Sequence, residues 1–200
     1  MKITAVRSEG IAHLSYFISS SGDAAVIDPR RDVDVYLKLA LRDQADIKYI
    51  FETHRNEDYV IGSLELQHHV TSVEIGHSLV TDFKYGDNKL TDGDEFQIGN
   101  LEIQCVHTPG HTDDSMCYLV TDTATGFSPI VLFSGDTLFV NEVGRTDLVD
   151  INIHEEMSRK LYHSLHEKVL KLDDGIIVYP GHGAGSVCGE AIGEREFTTI

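Results

Sequence analysis

Basic residues are scarce in this chain. Sixteen lysines and arginines stand against 33 aspartates and glutamates, a formal net charge of −17 over 200 residues. No Lys/Arg stripe or cluster is present that could neutralise phosphates, which argues against nucleic acid and anionic membrane as partners. Long apolar runs are missing too. The opening MKITAVRSEGIAHLSYFISS has neither the uninterrupted apolar core nor the small-residue cleavage site of a signal peptide, and no stretch reaches bilayer-spanning length. The expected location is cytoplasmic. Cysteine is sparse and odd in number: Cys105, Cys117 and Cys188 share no C-x-x-C spacing, so a disulfide framework or a structural zinc knuckle has no support. Cys105 and Cys117 lie in apolar strand-like runs and read as buried. Cys188, in GAGSVCGE, reads as a loop residue whose thiol is reachable. Linkers and low-complexity stretches are also absent, so residues 1–200 are expected to form a single domain.

What is present alternates strand with helix. LSYFISS (14–20) and AAVIDP (24–29) flank the turn-like SGD and predict a hairpin. Asp32 is placed to cap a helix carrying Val33, Tyr36, Leu37, Ala40 and Leu41 at helical spacing. DIKYIFET (46–53) predicts a strand, followed by a loop and a short helix over 63–70. Further strands are expected at 72–76, 95–99, 101–108, 115–122 and 129–136, with the polar KYGDNKLTDGD (84–94) as loop. Met157, Leu161, Leu165 and Val169 predict a long amphipathic helix over about 152–171, and GIIVYPGHG (175–183) a returning strand. The tail EAIGEREFTTI shows no element of its own. The whole pattern is that of a layered α/β protein with mixed sheets.

Four potential metal ligands share one context: His54, His111, Asp136 and His182 each lie just past the C-terminal end of an apolar strand. In layered α/β proteins such ends collect along one edge, where loops build sites. Four such residue types in one repeated setting predict a metal centre. The remaining histidines read as surface or structural: His13, His68, His69, His77, His154, His163 and His166. His107 shares a strand face with Leu101, Ile103 and Cys105, and reads as a core residue or a support for a ligand.

THRNEDYVIG (53–62), HTPGHT (107–112), SGDTLF (134–139), GRTDL (144–148) and YPGHGAGS (179–186) together resemble the ordered motifs of the metallo-β-lactamase fold superfamily. More narrowly they are similar to its persulfide dioxygenase branch, particularly members fused to rhodanese-type domains. The resemblance implies an αββα sandwich with the site at the shared edge of two sheets. Where a typical superfamily loop reads T-H-x-H-x-D-H, this chain has Asn56 and Tyr59, poor substitutes for imidazole toward Zn²⁺. A dinuclear zinc site is therefore not expected. His54, His111 and Asp136 remain, a two-histidine, one-carboxylate set suited to non-haem Fe(II).

The resemblance accordingly implies one Fe(II) per chain on those three residues, with Zn²⁺ as the alternative. Asp58 and His182 would act in catalysis by orienting ligands or bound water, and Arg145 would contact the carboxylate of a thiol substrate. The implied activity is oxidation of a low-molecular-weight, glutathione-type persulfide to sulfite by O₂. Alternatives are a mononuclear zinc hydrolase acting on a thioester-type substrate, and a non-catalytic metal- or persulfide-binding domain. A rhodanese-type sulfurtransferase and a second copy of the chain are the expected protein partners.

Overall fold

In the computed structural model, which describes residues 1–56, 58–148 and 150–200, the alternating apolar residues of the strands face one another across two six-stranded sheets. One sheet holds β1 (Lys2–Ser8), β2 (His13–Ser20), β3 (Asp23–Ile27), β4 (Asp46–Phe51), β5 (Glu74–Ser78) and β6 (Asn88–Leu90), side by side in chain order. The other holds β7 (Glu95–Ile98), β8 (Leu101–His107), β9 (Met116–Asp122), β10 (Val131–Gly135), β11 (Ile177–Pro180) and β12 (Thr198–Thr199), again in order.

The core between the sheets takes Leu14, Tyr16, Ile18 and Phe51 from the first and Leu101, Ile103, Tyr118 and Phe133 from the second. Phe51 meets Phe96 and Tyr118 across it, with ring centroids 5.2 and 4.9 Å apart. Each such buried aromatic contributes roughly 1.5–3 kcal/mol by leaving water. On the outer face of the first sheet, Tyr36 and Leu39 of α1 (Asp34–Asp43) and Leu66 of α2 (Ser63–His69) pack on Phe17, Val26 and Ile50. The outer face of the second sheet, Cys117, Leu132 and Val178, is covered by Leu165 and Val169 from the helical run opened by α3 (His154–His163). The layers are thus αββα. Because both faces of β2 are covered, every one of its residues is buried.

The hairpin between β2 and β3 closes on Ser21 and Gly22, both with positive φ, the twist that a two-residue hairpin turn needs. The helix over 154–171 is continuous but not uniform: α3 passes into a π segment at 164–168 and a 3₁₀ turn at 169–171. A four-residue repeat drifts by about 40° per step on a helix of 3.6 residues per turn, and the wider π turns absorb that drift. Val169 consequently stays on the buried face with Met157 and Leu161.

Several expectations are corrected. The first strand, β1, opens the chain, and the polar segment 84–94 contributes the short edge strand β6. The tail adds β12 at the other edge through two residues. Asp32 does not cap α1; its carboxylate pairs with Arg30 at 2.6 Å, and Val33 takes the cap position without a side-chain bond. His107 is half-buried at the last residue of β8, where its Nε2 meets the carbonyl of Asp113 at 2.9 Å. No helix among the described residues is long and apolar enough to cross a membrane.

Candidate metal centre

The edge that carries the site is made by strand direction. β3 and β4 run parallel, as do β10 and β11, while β8 and β10 both lie antiparallel to β9, so the C-terminal ends of β4, β8, β10 and β11 open along one border. There the two sheets are stitched together. Met116 donates its backbone N–H to the Thr53 carbonyl at 2.7 Å, and Leu14 to that of Gly181 at 2.7 Å. The Tyr118 and Tyr16 hydroxyls donate to the carbonyls of Glu52 and Pro180, at 2.6 and 2.7 Å. Each of these bonds fixes the backbone within two residues of a strand-end ligand candidate.

His54, His111 and Asp136 come together in that border, all buried, their ligand atoms within 4.8 Å of one another. Asp136 Oδ2 lies 3.5 Å from His111 Nε2 and 3.8 Å from His54 Nε2. Ligands about 2.0–2.2 Å from one metal ion stand about 3.0–3.5 Å apart, so these three need little adjustment to share a cation. The hydrogen bonds set the tautomers for it. His111 Nδ1 donates to the Arg145 carbonyl at 2.8 Å, which turns Nε2 inward, toward Asp136 and the Cys188 thiol. Thr53 donates its hydroxyl to Asp28 Oδ2 at 2.6 Å and so accepts from His54 Nδ1 at 2.8 Å, turning His54 Nε2 inward as well. Asp28 also accepts the Thr53 backbone N–H, and burial raises its carboxyl to about 7.

A buried acceptor facing other acceptors is costly until a cation sits among them. The residues therefore fit a divalent ion. Burial lowers His54 to about 4, leaving a neutral imidazole of the kind a metal requires. Burial alone would raise the Asp136 carboxyl, but His182, His54 and His111 hold it far below the ordinary carboxylate range.

His182, which the resemblance leaves out of the metal set, lies behind these ligands. Its Nδ1 is 2.8 Å from Asp136 Oδ1 and its Nε2 is 3.0 Å from Asp58 Oδ2, so the ring bridges two carboxylates. Burial disfavours its charge, yet Asp136 and the bond to Asp58 outweigh burial and raise its pKa. Cys188 joins Asp58 and His182 in a second group of potential ligands. This cysteine is buried rather than reachable, because its loop folds back on the segment after β10: its carbonyl accepts the Arg145 N–H at 3.1 Å and its apolar neighbours are Phe139 and Ile192. Burial raises its thiol, and interactions with His111 and His182 bring it below the usual thiol range.

Two loop positions are turned away. Asn56 donates its amide to the carbonyl of His54 at 3.1 Å, and the Tyr59 ring packs at a tilt against His13, with centroids 4.0 Å apart. Glu57, in the same loop, lies outside the described residues. Arg145 engages Asp147 through both branches of its guanidinium, at 2.6 and 2.8 Å, while its carbonyl holds His111. It also lines a largely apolar groove of about 500 Å³ with Val143, Leu161 and Tyr162, within the size range of small-molecule sites.

Sequence reading missed Asp28 and Thr53, whose only signals are a strand-end aspartate and a threonine before the histidine. It also set His13 aside as structural or surface. That residue is buried, 5.6 Å from the ring of His182.

The Metallo-beta-lactamase superfamily model matches residues 9–182, and the chain belongs to that superfamily. It is 30% identical over 189 residues to the mitochondrial hydroxyacylglutathione hydrolase of Saccharomyces cerevisiae, covering 86% of this chain and 62% of that one. It is 29% identical over 167 residues to the mitochondrial persulfide dioxygenase ETHE1 of Bos taurus, covering 81% of this chain and 59% of that one. A metallo-beta-lactamase crystal structure from Staphylococcus aureus subsp. aureus COL superposes with a TM-score of 0.91 at 30% identity, over 99% of this chain and 60% of that one. The chain thus spans about three fifths of the length of these relatives. The two curated relatives divide between a hydroxyacylglutathione hydrolase and a persulfide dioxygenase.

Proposed function

We propose that this domain is a mononuclear non-haem iron persulfide dioxygenase, converting R–S–SH, O₂ and water into R–SH, sulfite and two protons. The observation that carries this reading is the ligand set. His54, His111 and Asp136 converge with inward lone pairs, while Asn56 donates to the His54 carbonyl and Tyr59 packs on His13, so three protein atoms would hold one metal, a set suited to non-haem Fe(II). Iron bound there supplies the redox chemistry.

The chain supplies placement. Asp28 and Thr53 hold His54, the Arg145 carbonyl holds His111, and His182 holds Asp136 against Asp58. His182, positively charged between two carboxylates, is placed to keep a proton beside the centre. Arg145 sits on the groove wall with its guanidinium on Asp147, and an anionic thiol carrier would compete with Asp147 for that fork. A glutathione-type persulfide, a rhodanese-type sulfurtransferase as its source, a cytoplasmic setting and a homodimer are further parts of the proposal.

The test is O₂ uptake by protein loaded anaerobically with Fe(II), on addition of glutathione persulfide, with His111→Ala as control. Uptake with stoichiometric sulfite, abolished by the substitution, is expected. Iron-replete protein that consumes no O₂ yet hydrolyses a glutathione thioester when loaded with Zn²⁺ would replace this reading with the hydrolase, which the similarity to the yeast enzyme supports.

A further inference from the structure

The end of the second sheet opposite the metal centre carries a knob beside a hole. β10 and β11 reach the metal border with their C-terminal ends, so the turns that precede them lie at the far end of the sheet. The first of these turns, TATGFSPI (123–130), presents Phe127, 93% exposed and the most exposed large apolar side chain among the described residues. The turn itself is held firmly. Thr125 and Gly126 donate their N–H groups to the Asp122 carbonyl at 2.9 and 3.1 Å, Thr123 donates to the Asn100 carbonyl at 2.9 Å, and Ile130 donates to that of Val120 at 2.9 Å. Beside Phe127 lies a largely apolar groove of about 430 Å³, with Pro129, Ile130, Leu172 and Ile176 among its walls. An apolar cavity of about 150 Å³ holds a benzene ring, so this groove has room for a phenylalanine side chain. Its own Phe127 does not fill it, since that ring stands in solvent.

Charge selects the occupant. At −17 per chain, two copies repel one another unless the faces that meet are free of like charge. TATGFSPI has no ionisable residue, and the opposite wall, KLDDG (171–175), mixes exposed Lys171 with exposed Asp173 and Asp174, a mixed-sign turn that is complementary to its own copy. Knob and hole also adjoin on one face, so a two-fold axis between two such faces sets each Phe127 against the groove of the other copy and closes the assembly at two. We infer that this face is the contact between two copies of the chain, made by reciprocal insertion of Phe127 into the groove at Ile130 and Leu172. The inference gives the proposed homodimer its surface and does not depend on the dioxygenase reading. The metal border, at the other end of β10 and β11, stays open in such a dimer. Two phenylalanines bury about 150–250 Å² each, a modest part of the roughly 1,200–2,000 Å² of a stable interface, so a dissociation constant of about 1–100 μM is expected.

The test is sedimentation equilibrium of the full chain from about 1 μM to about 1 mM, where a monomer–dimer equilibrium with no larger species is expected. Phe127→Ser removes two buried rings per dimer and is expected to raise the dissociation constant at least about 100-fold. Ile130→Glu, which places a charge in the groove, is expected to weaken the dimer in the same direction. An equal mixture of these two variants retains one intact contact, Phe127 of the copy carrying Ile130→Glu in the groove of the copy carrying Phe127→Ser. It is expected to dimerise more tightly than either variant alone. Metal affinity, read by chelator competition, is expected to be unchanged in both variants, which reports that they fold. A monomer throughout, species larger than a dimer, a dimer indifferent to Phe127→Ser, or a mixture no tighter than the single variants would each overturn the inference. Since the readout is association and not O₂ uptake, the contact stands or falls separately from the dioxygenase activity.

Discussion

The hydroxyl of Thr53 is the joint through which a buried aspartate sets a metal ligand, and its removal is a sharp test of how the centre is built. Thr53→Val keeps the shape and the β-strand preference of the residue but leaves Asp28 Oδ2 and His54 Nδ1 without their partners at 2.6 and 2.8 Å. Each orphaned buried group costs about 1–3 kcal/mol, and the added methyl returns about 1 kcal/mol, so a net loss of about 3 kcal/mol is expected. The Thr53 backbone N–H still bonds Asp28 Oδ1 at 2.8 Å, which keeps the aspartate in place and confines the effect to the hydroxyl. With its tautomer no longer fixed, His54 should bind metal about 10- to 100-fold more weakly. Urea unfolding of the metal-free protein reads the first quantity, and competition with a chromophoric chelator reads the second. Thr53→Ser, which keeps the hydroxyl, should restore metal affinity. A valine variant within about 0.5 kcal/mol of the parent, the range of an ordinary surface change, and with unaltered metal affinity would refute the relay from Asp28 to His54.

Other consequences can be checked alongside it. Burial lowers His13 from 6.5 to about 3, so the unfolded chain takes up a proton that the folded chain refuses. Stability should therefore fall as pH drops from 6.5 toward 3, by up to about 1.4 kcal/mol per pH unit from this group, and His13→Gln should flatten that part of the profile in thermal melts. Gly110 has φ +149°, and a Cβ there would lie 2.3 Å from that of Leu161; Gly110→Ala should cost at least about 2 kcal/mol in urea unfolding and weaken metal binding through the adjacent His111. Burial pushes the Cys105 and Cys117 thiols up to about 12 and about 11, whereas Cys188 is lowered by its histidine neighbours. Peptide mapping of metal-free protein after brief iodoacetamide treatment at pH 8 should find Cys188 alkylated first; equal labelling of all three would contradict that ordering.

The sequence disclosed the parts of the site that repeat. Glycine or proline immediately before His111, Asp136 and His182, each after an apolar strand, marked strand ends, and strand ends in a layered fold converge. What it could not disclose was set by distance in the chain. The Arg145 carbonyl that fixes His111 is 34 residues away, and Asp28, which reaches His54 through Thr53, is 25 residues from that threonine. Neither is marked by any local pattern. His107 misled because burial alternates only where both faces of the strand are covered, and at the last residue of β8 its ring is half-exposed. The edge strands β6 and β12 were missed for a related reason: with three and two residues they have no period to read, and the neighbouring strand supplies their order.

Asn56 and Tyr59 bear on whether the centre was emptied of a second metal or never relied on one, and the surrounding groups make the question experimental. Asp58, His182 and Cys188 already bring three potential ligand atoms within 4.8 Å of one another. In the metal-free protein, charge on His182 satisfies this group, since the ring donates to Asp136 on one side and Asp58 on the other. A cation entering there must displace that proton and is offered no imidazole from position 59, whose tyrosine is packed on His13 and whose phenol burial drives well above its usual range. The parent protein should accordingly retain one equivalent of Zn²⁺ after dialysis, and the double variant Asn56→His/Tyr59→His should retain two, counted by plasma emission spectroscopy against protein concentration. Two equivalents in the parent would mean that Asp58, His182 and Cys188 hold a metal unaided, and that the proton on His182 is a stand-in for it.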